Sequence, residues 1–217
     1  MITLTRRPKT EQPTSEQRFV LHDMSWAFYE ALLNEIGDRH IFVTFDRGEL
    51  EIMAPSQGHD LGKKFTARLL ESMTFELGID VICLGSTTWK RKDLARGLEP
   101  DECYYIKNEA LVINKLIDLT RDPPPDLALE VEITHSLLDR VAIYAALGVP
   151  ELWRYDGKHL RFYHLQPSGT YRLSPKSLNF PFLASREMER FIKMRESMKE
   201  NHVLRLFLAW IRDNAHK

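Results

Sequence analysis

Three acids in this 217-residue chain have the types and spacing to handle a cation: Asp101, Glu130 and Glu132. The run from Leu127 to Ile133 alternates, with Leu127, Leu129, Val131 and Ile133 on one side and Ala128, Glu130 and Glu132 on the other. On a strand the two glutamates stand about 6.6 Å apart. At an effective dielectric of about 20, like charges at that distance repel by about 2.5 kcal/mol. A buried strand keeps such a pair only with a cation, a proton or solvent beside it. Asp101 follows Pro100 at the start of another apolar run, at a strand end where side chains reach solvent or ligand. Two carboxylates from neighbouring strands, with a backbone carbonyl near Val131, form an oxygen-only, incomplete coordination sphere. That suits Mg2+ or Mn2+, which keep several waters. Structural acids at strand ends look the same, and spacing alone does not separate the two roles.

Other chemistries have less support. The eight histidines show no HExxH spacing, and zinc prefers nitrogen or sulfur ligands. No GxSxG is present, so a serine hydrolase elbow is not expected. Cys83 and Cys103 fall in apolar runs and are expected to pack as free thiols. Glu130 and Glu132 could serve a glycosidase, with Trp89 or Trp153 stacking on sugar only by assumption. Neither a GxxxxGK[ST] loop nor a Gly-rich dinucleotide turn occurs. The formal net charge of −1 means that any phosphate-binding surface is a local patch. The opening residues lack the apolar segment of a signal peptide and no apolar run is long enough to span a membrane, so a cytoplasmic protein is expected.

The elements that must position these acids follow from periodicity. Helical spacing covers residues 24–36, with Trp26, Tyr29, Leu32, Leu33 and Ile36 on one stripe and Gly37 as a stop. Strands 40–45 and 50–53 flank the hairpin signal from Asp46 to Gly48. A longer helix is expected over 59–77, with Lys63, Lys64 and Arg68 on a solvated outer face. Strands are expected at 80–84, 87–91 and 103–106, with a charged, exposed connection from Lys90 to Arg96. The acidic strand comes next, then a helix over 137–147 closed by Gly148, and strands at 151–155, 160–165 and 170–173. Helical patterning returns over 185–216 and ends in an apolar patch around Leu204, Phe207, Leu208, Trp210 and Ile211, which must close the core or meet a second copy. The order describes a mixed α/β domain on a central sheet. Residues 1–17 read as a flexible tail, 18–184 as the domain, and 185–217 as a helical extension on the core or a dimer partner.

Several runs together resemble one family. They are Glu99-Pro100-Asp101; Pro124-Pro125-Asp126 leading into Glu130-Val131-Glu132; Asp139-Arg140 followed by Tyr144; and the block GVPELW from Gly148 to Trp153. The hairpin from Gly48 through Glu51 to His59 and the run from Leu84 to Thr88 extend the likeness over about residues 24–175. The set resembles the Uma-type family of restriction-endonuclease-like proteins, a bacterial branch of the PD-(D/E)XK nuclease superfamily. The resemblance implies a mixed sheet of about four strands flanked by helices, with a metal site at a fork in the sheet. It implies Mg2+ (or Mn2+) held by Asp101, Glu130 and Glu132, DNA as partner, hydrolysis of phosphodiester bonds, and a homodimer. The superfamily's lysine position holds Glu132 here. The missing positive charge is then expected from Arg140, as a phosphate clamp, or from Lys63 or Lys64. His59, opening the first core helix, is a candidate site residue, with Asp60, Glu71 and Glu51 as alternative accessory acids. Tyr144 and Trp153 read as core. Because of Glu132, a catalytically silent protein that binds nucleic acid or a protein partner is the alternative.

Overall fold

The computed structural model describes residues 16–215. Of the tail expected over 1–17, residues 1–15 lie outside the described residues, whereas Glu16 and Gln17 belong to the folded body. The elements in chain order are β1 (Gln17–Leu21), α1 (Trp26–Ile36), β2 (Phe42–Asp46), β3 (Glu49–Ala54), α2 (Gln57–Glu76), β4 (Ile82–Cys83), β5 (Trp89–Arg91), β6 (Arg96–Leu98), β7 (Glu102–Tyr105), α3 (Glu109–Val112), β8 (Leu127–Val131), α4 (Arg140–Leu147), β9 (Glu151–Tyr155), β10 (Leu160–Leu165), β11 (Tyr171–Ser174), α5 (Ser185–Met194) and α6 (Glu200–Asn214). No helix among the described residues is long and apolar enough to cross a membrane.

Two sheets carry the architecture, rather than one of about four strands. The larger has the order β11-β10-β9-β8-β7-β4, and only its central pair, β8 and β9, runs parallel. Helix α4 makes the crossover between those two strands, as a parallel pair requires. The smaller sheet, β1-β3-β2-β6-β5, is antiparallel throughout. The two meet at residues 99–101, which leave β6 in one sheet and enter β7 in the other.

The alternation of β8 sorts its residues as expected. Leu127, Leu129 and Val131 join Phe65, Leu69 and Met73 of α2, Phe191 of α5 and Phe207 of α6 in the main core. Ala128 faces a second core with Ile143, Tyr144 and Leu147 of α4. The smaller sheet packs Val43, Phe45 and Leu50 under Tyr29 of α1. The β2–β3 hairpin turns through Arg47 and Gly48, both at positive φ, the geometry that matches strand twist.

Four features differ from the sequence reading, each for a physical reason. Strand β1 has no strong apolar run; it is an edge strand, held by pairing to β3 and by the ion pairs of Arg18. The stretch from Lys90 to Arg96 is a short hairpin rather than an exposed connection, because its backbone pairs β5 with β6 while Lys90, Lys92 and Asp93 point outward. Gly97 permits this, since a Cβ there would lie 2.4 Å from Tyr29 Oη. The C-terminal helix is two helices: a straight 32-residue helix would run about 48 Å, too long for both of its apolar stripes to meet one core. Broken after Met194, it folds back so that Val203, Phe207 and Ile211 close the main core over α2, with Leu204, Leu208 and Trp210 packed against it. Finally, Cys103 is buried as expected but Cys83, on the edge strand β4, is exposed. Desolvation with the charges of Glu71 and Glu102 pushes the Cys83 thiol up to about 11, so it stays protonated.

Candidate active site at the junction of the sheets

Asp101 is the hinge of the site. Coming off the junction between the sheets, it is buried, and its Oδ2 accepts the Val131 N–H at 2.6 Å. That bond ties it to the residue beside Glu130 on β8. His59 approaches from the other side. The Ser56 hydroxyl caps α2 by accepting the His59 N–H at 3.3 Å, which fixes His59 in the first turn. Its ring is fully buried, with Nε2 3.1 Å from Asp101 Oδ1. Burial pulls the His59 pKa down, but the nearby carboxylate of Asp101, with the charges of Glu16 and Glu130 behind it, outweighs that and raises it.

Glu130 points to the opposite face of β8 from Leu129 and Val131, toward α4. Asp139 caps α4 by accepting the Ala142 N–H at 3.1 Å, so the helix starts at Arg140 rather than Leu137. Arg140 in the first turn places Nη2 2.5 Å from Glu130 Oε1 and 2.7 Å from the Glu99 carbonyl, and Nη1 on the Thr44 hydroxyl. One turn on, Tyr144 donates its hydroxyl to the same Oε1. The Arg140 side chain is only 11% exposed, and its Nε has no partner among the described residues. Burial pushes the Glu130 carboxyl up; Arg140 and Tyr144 pull it down, Asp101 adds to the push, and the balance is upward. Arg140 itself is held above its usual range by Glu130 despite burial, so it remains charged.

Glu132 continues the pairing of β8, its N–H bonded to the Tyr155 carbonyl at 2.9 Å. Its Oε1 accepts the Ser136 N–H at 2.6 Å, and its Oε2 takes Arg154 of β9. Each glutamate of the acidic strand therefore has an arginine of its own. Among the described residues, no three His, Cys, Asp or Glu side chains form a metal-ion cage. Asp101 and Glu130 are hard oxygen donors on adjoining segments and fit Mg2+ or Mn2+ by chemistry. Among the described residues, Glu130 Oε2 has no hydrogen-bond partner, whereas both oxygens of Glu132, like both of Asp101, already face donors.

The structure thus brings together Asp101, Glu130, His59 and Arg140, and sets Glu132 beside them in a separate ion pair. Lys63 is not on a solvated face: it is buried, with Nζ 2.8 Å from the Ser86 hydroxyl and 3.7 Å from Glu102. Lys64 is exposed, and Arg68 bonds Asn201 and Glu200 of α6. Of the accessory acids, Asp60 pairs with His40 at the surface, Glu71 is exposed, and Glu51 is buried in a structural network. Trp153 is core, its indole N–H on Glu151. Two acids of the family-like runs are structural as well. Asp126 accepts the N–H groups of Ile106, Lys107 and Asn108, and Glu151 accepts those of Leu178 and Asn179. Sequence reasoning missed Thr44 and Arg154. The signal for Arg154 was a charge between Trp153 and Tyr155, in a strand otherwise closed to solvent.

No curated protein matches the chain. Among solved structures, a protein from Anabaena variabilis described as a "putative nuclease belonging to DUF820" is similar at 14% identity with a TM-score of 0.47, over 69% of this chain and 90% of that one. The Uma2 family model, described as "Putative restriction endonuclease", matches residues 26–191. That span is more than half of the chain and contains His59, Asp101, Glu130, Glu132, Arg140 and Arg154. The chain belongs to the Uma2 family.

Proposed function

We propose that this protein is a divalent-metal-dependent endonuclease that hydrolyses phosphodiester bonds in DNA. The observation that supports it is the tie between Asp101 and the Val131 N–H, which sets Asp101 and Glu130 side by side with a fixed cation behind them. Asp101 and Glu130 would hold Mg2+ or Mn2+. When bound, the ion supplies Lewis acidity at the phosphate and lowers the pKa of a bound water. The chain's own residues do the rest. His59 orients Asp101, and Arg140 holds Glu130 in place. Water oxygen bonds to phosphorus and gives up a proton to solvent, and the bond to the leaving sugar oxygen breaks. That oxygen takes a proton from solvent. Cutting both strands of a duplex calls for two such sites, and a cytoplasmic homodimer is the assembly this reading implies.

One observation favours a second reading, a nuclease-fold protein that binds nucleic acid or a protein without cutting: Arg140 already neutralises Glu130. A single assay separates the two. Duplex, nicked and single-stranded DNA are incubated with Mg2+ or Mn2+. Cutting is expected to stop with EDTA and in Asp101→Asn and Glu130→Gln. Cutting that survives both substitutions removes the site, and binding without cutting by the wild type favours the second reading.

A further inference from the structure

A phosphodiester brought to Asp101 and Glu130 adds a third negative charge to a buried acidic corner, so a cation of the chain must meet it. Two arginines stand on that face of the sheet, and they are not equivalent. Arg140 is fixed and enclosed: its two terminal nitrogens serve Thr44, the Glu99 carbonyl and Glu130, its Nε is buried, and its side chain is 11% exposed. Arg154 has a single acceptor, Glu132 Oε2, and its side chain is 31% exposed. The parallel register of β8 and β9 makes Arg154 the direct partner of Glu130, so both project from the same face of neighbouring strands about 4.8 Å apart.

Resting on the reading that this site handles phosphodiesters, we infer that Arg154 is the cation that contacts the scissile phosphate, and that Glu132 holds it in place beforehand. Glu132 suits that role because its second oxygen is fixed by the Ser136 N–H, which leaves the carboxylate one orientation. A phosphate oxygen offers the guanidinium the same kind of acceptor as a carboxylate, and the planar fork can bond two oxygens at once. Arg154 thus exchanges one anion for another without leaving its strand. Glu132 is a positioning residue in this scheme, and Arg154 touches substrate.

The test compares the full-length wild type, R154Q and the double variant E132K/R154Q on a fluorescein-labelled duplex. Cleavage gives kcat and KM, and anisotropy over a salt series gives the slope of log affinity against log salt. Loss of the contact is expected to lower kcat on the order of 100-fold and to reduce the salt slope by about one. E132K/R154Q, which moves the cation to the neighbouring strand, is expected to regain at least about tenfold of the lost kcat. The neutral pair E132Q/R154Q, which strands no charge, stands in if R154Q does not fold and is read in the same way. If the wild type cuts and R154Q cuts equally well, the assignment of Arg154 falls and the nuclease reading stands. If the wild type binds without cutting and R154Q loses one unit of slope, the phosphate contact stands and the nuclease reading falls. No cutting, with R154Q matching the wild type in the salt series, overturns both.

Discussion

The loop that follows the acidic strand is held by a carboxylate far away in sequence, and replacing it should be costly. Glu51 on β3 is 1% exposed and accepts three donors: Arg18 Nη1 at 2.8 Å, the Ser136 hydroxyl at 2.9 Å and the Leu137 N–H at 2.7 Å. Breaking a buried ion pair from one side costs about 3–5 kcal/mol. Here Arg18 keeps Glu16 at 3.0 Å and the Thr134 hydroxyl at 3.2 Å, and the half-exposed Ser136 has solvent within reach. Those remaining partners place Glu51→Ala at the low end, about 3 kcal/mol. At about 2–4 °C per kcal/mol for a domain of this size, the midpoint should drop by about 6–12 °C. Glu51→Gln keeps the shape and one acceptor oxygen, so it should lose about half as much. Urea unfolding followed by far-UV circular dichroism measures both, with Arg18→Ala and the double variant completing a cycle. A coupling of at least about 1 kcal/mol is expected between residues that share an ion pair. A loss below about 1 kcal/mol in Glu51→Ala at unchanged m-value, or a coupling near zero, would refute the claim that this network anchors the loop.

Two further outcomes follow from buried groups. Asp126 gathers three backbone N–H groups and the Asn108 amide, at 2.7–3.0 Å; Asp126→Ala should cost about 4 kcal/mol and speed amide hydrogen exchange at residues 106–108, and unchanged protection there would show that another acceptor takes over. The raised His59 pKa makes a pH prediction: its stabilising contribution is complete below the unfolded value of about 6.5 and is lost as pH rises through the higher folded value. The stability gap between wild type and His59→Asn should therefore narrow with rising pH in urea unfolding, and a gap independent of pH would count against a charged His59–Asp101 pair.

The parts of the fold that were legible in the sequence are those where burial writes a period into the chain. The alternation of β8, the stripe of α1, the Asp46–Gly48 turn and the closure of α4 by Gly148 are local patterns, and each formed where its pattern lay. Strands β1 and β6 were not legible because what holds them is backbone pairing to a distant strand, which leaves no mark in their own residues. The site divides in the same way. Asp101 and Glu130 were legible as candidates, one from Pro100 at the start of an apolar run and the other from the alternation of β8; the structure sets them side by side, with Asp101 buried rather than reaching solvent. The burial of Lys63 was hidden because a lysine at that helical position reads as surface unless Ser86 and Glu102, contributed by other segments, are known to face it. Arg154 was hidden for the complementary reason: its anion, Glu132, is 22 residues away in sequence, and only the parallel register of β8 and β9 brings them together.

The acidic strand called for a cation, and the chain answers with two arginines drawn from the two elements that follow it. The choice of arginine has consequences. A buried lysine sheds its proton when desolvation outweighs its partner, whereas a guanidinium stays charged at any ordinary pH. Each glutamate of β8 is therefore matched by a charge that burial cannot switch off, and the repulsion of about 2.5 kcal/mol between two bare carboxylates at that spacing is opposed by two attractions at shorter range. Arg140, in the first turn of α4 and locked by three hydrogen bonds, from Nη2 to Glu130 and the Glu99 carbonyl and from Nη1 to Thr44, answers the structural half of the problem. Arg154, with one contact and a partly exposed side chain, is the less tightly held of the two. Two equally buried pairs would balance the strand as well; the unequal pair leaves one guanidinium accessible, which is what the proposed phosphate contact needs.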